Sequence, residues 1–259
     1  MKKKILTIHH LACTGGSVIC KAIGSMLKTV VISEVNPNRI RFAFNPYDPI
    51  QLLLAQTNLK NNDQLRKKVF LQRVNECYEI AKLNKFNLVL RDHSHSDYML
   101  VKDINSIVNR SSLWSLLSEH FSLVSILTIR NPIESYLSLK KLREGQIIKN
   151  FDDYCQRILM MIDTYKGLGC EIIKYEDFCN NPKDTMKKIC KIYEIEFNEK
   201  FEEIFYKIPM TGDSGRGKAL NLNLIQPLVS KDVDNELKKQ ANSSNAYLKI
   251  IEDYNYKNL

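Results

Sequence analysis

Long apolar runs are missing from this 259-residue chain. Nowhere do about 18 apolar residues follow one another, so no membrane-spanning helix is expected. The start Met1-Lys2-Lys3-Lys4 has the basic character of a signal n-region, yet His9-His10 interrupts the apolar stretch after Ile8. An h-region needs about 7–15 apolar residues, and the expectation is therefore a cytoplasmic protein. Glycine and proline are scarce, at 9 and 7 residues, which excludes a collagenous or disordered chain. The 7 cysteines include no C-x-x-C pair and no regular spacing, so reduced thiols are expected rather than a disulfide framework. Acidic residues are in the minority. Lysine plus arginine number 38 against 29 aspartates and glutamates, and the formal charge of +9 favours an anionic ligand. Nucleic acid, a membrane surface and a phosphorylated cofactor all meet that condition.

What is present is an alternation of strand and helix signals. Residues 5–8 are a short β-prone run, followed by a Gly-rich turn and by Val18, Ile19, Ala22, Ile23, Met26 and Leu27 at helical spacing. Further strands are expected at 30–32, 86–90, 121–129 and 170–175. Helices are expected at 133–143, 151–167, 182–194 and 231–253, with a loop over 208–230. Asn181 and Pro182 read as the cap and first residue of the third of these helices. Residues 46–84 carry two helix-like segments, the second with Leu65, Val69, Phe70, Val74, Cys77 and Tyr78 on one stripe. No repeat or linker interrupts the pattern, so residues 1–259 are expected to form one α/β domain with a helical insertion at 46–84. Such alternation implies right-handed crossovers, a mainly parallel sheet between helical layers, and ligands beyond the carboxyl ends of the strands.

Unusual polar residues gather at those strand ends. Cys13-Thr14-Gly15-Gly16-Ser17 lies between a strand and a helix, where backbone N–H groups, two hydroxyls and the positive helix end make an anion cradle. It lacks the G-x-x-x-x-G-K-[ST] spacing of a nucleotide-triphosphatase loop and the G-x-G-x-x-G dinucleotide fingerprint. Arg130-Asn131-Pro132 ends the fourth strand, and Ser138 follows two turns into the next helix. A planar guanidinium there suits a second phosphate, or a structural ion pair. Tyr175-Glu176-Asp177, with Asn181-Pro182 after it, is by itself an ordinary strand-to-helix connection.

In combination and in order, these clusters resemble the sulfotransferases that use 3′-phosphoadenosine 5′-phosphosulfate (PAPS), over residues 5–195. The resemblance implies a P-loop-like sulfotransferase fold. It also implies that Cys13, Thr14, Gly15, Gly16 and Ser17 hold the phosphosulfate, that Arg130 and Ser138 grip the 3′-phosphate, and that Tyr175 belongs to the nucleotide site. That family has a late Gly- and Lys-rich loop over the 3′-phosphate, approximately matched by Arg216, Gly217 and Lys218. It usually carries a lysine where this chain has Cys13, which leaves Lys21 and Arg91 as candidates to supply the missing charge. The implied reaction is in-line transfer of a sulfuryl group to an acceptor hydroxyl or amine, with 3′-phosphoadenosine 5′-phosphate (PAP) leaving and no metal required.

The acceptor must lose a proton, and two places offer a base. His93 and His95 follow the third strand, in the position of the catalytic histidine of cytosolic members. Glu34 follows the second strand, as the glutamate base does in carbohydrate-modifying members, which makes a glycan the first acceptor class expected and a small hydroxylated metabolite the second. Two rivals remain. A kinase would need a lysine-bearing phosphate loop and a magnesium-binding acid, and neither is evident. A basic module for nucleic acid or another anionic polymer would need clustered basic and aromatic residues, whereas those here are dispersed, so no nucleic-acid partner is expected. The histidines lack the companions of a zinc site, and no metal is expected.

Overall fold

The computed structural model describes residues 2–37, 62–107, 111–210, 224–228 and 230–257, without the side chains of residues 143 and 144. Five strands, β1 (Lys3–His10), β2 (Thr29–Val35), β3 (Asn87–Asp92), β4 (Phe121–Ile129) and β5 (Glu171–Lys174), form a parallel sheet in the order β2-β3-β1-β4-β5. The chain fills β2 and β3 on one side of β1, then crosses to β4 on the other. That reversal leaves a crevice at the carboxyl end of β1, where open α/β sheets bind ligands.

β1 and β3 run further than expected. The polar pairs His9-His10 and Arg91-Asp92, which read as strand ends, continue the strands as buried residues. β5 is shorter, because the Cys170 amide still bonds back to the Tyr165 carbonyl at 3.0 Å and Tyr175 already opens a helix.

Eleven α-helices occur among the described residues. α1 (Gly16–Gly24) follows the cradle, and α2 (Asp63–Leu83) carries the expected stripe, with Asn62 accepting from the Leu65 amide as its cap. The first helical segment expected within 46–84 lies outside the described residues. Two short helices, α3 (His95–Tyr98) and α4 (Ser112–Ser118), were not legible in the sequence. α5 (Pro132–Leu139) is capped by Asn131 and stops short of residue 143, and α6 (Phe151–Gly167) is capped by Asn150. α7 (Tyr175–Asn180) precedes α8 (Pro182–Tyr193), which has the expected Asn181 cap and leading proline; α9 (Phe201–Ile204) follows. The single helix expected over 231–253 is two, α10 (Asn235–Ser243) and α11 (Asn245–Asp253). Ser244 breaks it by adopting extended backbone, where its hydroxyl accepts from the Tyr247 amide and donates to Asp152.

Both faces of the sheet are covered. Leu6, Ile8, Val89 and Ile126 pack against α1 and α8, whereas Ile5, Leu88 and Leu90 pack against α2 and α4. Leu127 and Ile129 meet α6, α10 and α11. No helix among the described residues is long and apolar enough to cross a membrane.

One buried ion pair sets the position of α3. Arg157 of α6 is fully buried, pairs with Asp153 at 2.9 Å and donates Nη1 to the carbonyls of Tyr98 and Val101 at 2.7 Å each. Removing the carboxylate strands the guanidinium in an apolar core. Asp153→Ala is expected to cost about 3–5 kcal/mol in denaturant unfolding, and a loss under about 1 kcal/mol would show that water reaches Arg157.

Candidate active site

Successive side chains of a strand point to opposite faces, so His9 and His10 part company. The register places Ile8 opposite Arg91, which puts Arg91 on the His10 side of the sheet and Asp92 on the His9 side. On the latter side His9 Nδ1–H donates to Asp92 Oδ2 at 2.9 Å, and Ser94, Ser111 and Tyr165 hydroxyls donate to the same oxygen. Asn36, just beyond β2, donates to Oδ1 at 3.3 Å. Burial alone would raise the Asp92 carboxyl, but the bonds and charge of His9, with those of Ser94 and Asn36, hold it below the ordinary carboxylate range. Nearby Asp97 is pushed up to about 6 by burial and by the Asp92 charge, although it accepts from the Ser112 amide and hydroxyl.

The other side builds the cradle. His10 donates Nδ1–H to the Leu11 carbonyl at 2.9 Å and accepts Arg91 Nε–H at Nε2, 2.6 Å away. Arg91 also donates Nη1 to Ser33 and Nη2 to Ser17, at 2.8 and 3.1 Å. Cys13 and Gly15 adopt left-handed backbone, φ 67 and 80. At Gly15 a Cβ would stand 2.0 Å from the Tyr175 ring, and at Gly16 one would stand 2.3 Å from the His10 ring. Gly15 is therefore required both by backbone and by the ring laid over it, and Gly16 by the ring alone. Thr14 is buried and donates its hydroxyl to the Leu11 carbonyl at 2.8 Å, which shapes the turn from within.

Arg130 adjoins the cradle. Its Nη1 donates to the Cys13 carbonyl at 3.2 Å, its Nη2 pairs with Glu134 at 3.4 Å, and its guanidinium lies 4.9 Å from the centre of the Tyr175 ring. Ser138, one turn beyond Glu134, donates to the Glu134 carbonyl at 2.9 Å. Lys231 reaches the same place, donating Nζ to the Glu134 carbonyl and to the Ser138 hydroxyl. Burial and the charge of Arg130 lower the Lys231 ammonium from its usual value, as expected where two cations stand close together. Its surroundings in the sequence are an undistinguished polar loop, and no local pattern marks it.

A cavity of about 400 Å³ opens over these groups. Cys13, Gly15, Gly16, Ser17, Arg130, Ser138 and Tyr175 line it, and so do Glu34, Arg91, His93, His95 and Lys21. Thr14 does not. Arg216, Gly217 and Lys218 lie outside the described residues. Glu34 sits at an irregularity between Ile32 and Val35 of β2 with φ 59, a left-handed conformation uncommon for glutamate. His93 Nδ1 is 2.6 Å from the Ser96 hydroxyl, and its ring meets that of His95 edge-on at 6.0 Å. Phe205, Tyr206, Leu224, Ile225 and Leu228 add an apolar wall that no motif announced.

His10 also carries a measurable consequence. Burial, then the Arg91 charge, lower its pKa from 6.5 to about 3. The unfolded chain takes up a proton below about pH 6.5 that folded His10 refuses until about pH 3, so this residue removes stability as pH falls through that window. Between about pH 7 and about pH 4.5, urea unfolding of His10→Gln should lose about 2 kcal/mol less than the wild type; equal losses would mean that His10 is readily protonated.

No family model matches the chain, and no curated protein matches it by sequence. Solved structures do. The sulfotransferase domain from the Synechococcus PCC 7002 olefin synthase superposes with TM-score 0.55 at 14% identity, over 99% of this chain and 97% of that one. The sulfotransferase domain from the curacin biosynthetic pathway gives TM-score 0.56 at 14% identity, over 98% of both chains. Mouse sulfotransferase SULT7A1, complexed with PAP, gives 0.52 at 10% identity, over 98% of this chain and 86% of that one. With its parallel sheet, crossover at β1 and glycine turn ahead of α1, this chain has the P-loop-like α/β fold of the sulfotransferases.

Proposed function

We propose that this protein is a PAPS-dependent sulfotransferase that moves a sulfuryl group to an acceptor hydroxyl or amine, with a glycan as the first acceptor class. One observation carries the reading: two cationic anion sites adjoin on a single cavity wall. The cradle of Gly15, Gly16 and Ser17 with Arg91 suits one anionic group, and Arg130 with Ser138, whose hydroxyl Lys231 bonds, suits a second. A nucleotide with phosphates on both the 5′ and 3′ positions matches that pair, and the ring of Tyr175, stacked on Arg130, separates the sites. The donor set is therefore chemically suited to PAP and PAPS. When bound, PAPS supplies a sulfuryl group on a mixed anhydride.

The chain's own residues perform the rest. Arg91 and the N–H groups at the start of α1 offset negative charge at the leaving oxygen, in place of the lysine that Cys13 displaces. Glu34 takes the acceptor proton on its carboxylate, and His93 and His95 orient the acceptor. Residues 1–259 act as one domain in this reading, with the helical insertion at 46–84 flanking the acceptor side. The glycan assignment rests on the position of Glu34 near the end of the second strand, which resembles that of the glutamate base in the carbohydrate-modifying branch.

Calorimetry with PAP and AMP tests the cofactor. PAP is expected to bind without magnesium and at least about tenfold more tightly than AMP. Arg130→Ala and Lys231→Met should each weaken PAP by about 1.5–3 kcal/mol with little effect on AMP, and equal affinity of the wild type for both nucleotides would remove the basis of the reading. Glu34→Gln should lower turnover on a panel of hydroxylated acceptors by about 10²–10⁴-fold at unchanged PAP affinity. If that variant stays active while His93→Ala or His95→Ala is dead, the base is a histidine.

A further inference from the structure

An arginine stem is flexible, and a guanidinium that must meet an anion at one spot gains from being held there before the anion arrives. Arg91 is held by His10. The imidazole is itself fixed twice, by the Nδ1–H bond to the Leu11 carbonyl and by lying over Gly16, where a Cβ would come within 2.3 Å of its Cγ. With Nδ1 committed as donor, Nε2 presents a lone pair, and Arg91 Nε–H fills it at 2.6 Å. That bond turns Nη1 towards Ser33 and Nη2 towards Ser17, at the start of α1. A carboxylate in the place of His10 would accept the same proton but would cancel much of the guanidinium charge. A neutral imidazole aims the charge without spending it.

We infer that His10 is a positioning residue for the anion cradle: it aims the Arg91 guanidinium at the anionic group bound beside Ser17 and adds no charge of its own. The inference rests on the reading of the cavity as a PAP site and adds to it a residue outside every motif of the chain. Burial holds His10 neutral, with a pKa of about 3, and this keeps Nε2 available as an acceptor at working pH.

The test compares PAP with adenosine 3′-phosphate, which lacks the 5′-phosphate that the cradle would hold. His10→Phe keeps a ring over Gly16 and loses the acceptor; it should weaken PAP by about tenfold or more and leave adenosine 3′-phosphate unchanged. His10→Gln, whose amide oxygen reaches the position of Nε2, should stay within about threefold of the wild type for PAP. Arg91→Ala should lose as much as His10→Phe or more, and the double variant should lose no more than Arg91→Ala, because His10 acts only through that side chain. Additive losses, equal losses on both ligands, or an unaffected His10→Phe would each overturn the inference and leave the PAP reading standing. A wild type that binds neither ligand would overturn both. Should the phenylalanine variant not fold, His10→Asn, one methylene too short, is expected to lose PAP affinity where His10→Gln keeps it, and equal affinities of those two would overturn the inference.

Discussion

A carboxylate with no access to water anchors the carboxyl edge of the sheet. Asp92 is fully buried, and it collects donors from β1 through His9, from the exit of β2 through Asn36, from the turns around α3 and α4 through Ser94 and Ser111, and from α6 through Tyr165. A charge in that position is tolerable only when fully bonded, and each donor it demands fixes one more element at the strand ends. The segments that carry Glu34, His93 and His95 are the ones so fixed. The side of the cavity lined by Glu34, His93 and His95 is thereby placed by a group that is itself sealed beneath it.

On the opposite face the constraint is crowding. Tyr175 and His10 lie so close over the glycine turn that neither Gly15 nor Gly16 admits a side chain. The turn is therefore clamped between rings from β1 and from the start of α7, and its amides keep one arrangement. Preorganised donors of this kind do their work at no reorganisation cost when charge develops on a bound group. Positive charge is treated differently at the two ends of the wall. Arg91 is steered by the uncharged acceptors His10, Ser17 and Ser33, whereas Arg130 pairs with the carboxylate of Glu134, and the Lys231 ammonium donates to the Glu134 carbonyl and the Ser138 hydroxyl beside it. The second arrangement has more cation than anion.

Much of this was legible in the residues. Apolar periodicity located the strands and most helices, and asparagine followed by proline marked the start of α8, because capping and the missing proline N–H are local effects. The glycine turn, Arg130 with Ser138, and Tyr175 were singled out by the combined resemblance to the PAPS sulfotransferases, and the structure brings them to one cavity. Errors came where a local rule met a distant partner. His9, His10, Arg91 and Asp92 read as polar residues that follow the strands, yet they are the last residues within them, since each finds its hydrogen-bond partner across the sheet. Ser244 looked like helix interior and is a cap, held by Asp152 far away in the chain.

What the sequence by itself determined is the order of elements, the parallel sheet and the place of an anion cradle after the first strand, all consequences of interactions within a few residues. Only the tertiary structure decided that two adjacent histidines serve opposite faces, that Arg91 bonds Ser17 at the glycine turn, and that Lys231 joins Arg130 from 101 positions away. The reason is physical. Burial and charge at a site depend on which strand ends meet, and that is set by the register of the sheet and the chain's crossing at β1, neither of which is written in any short stretch of residues.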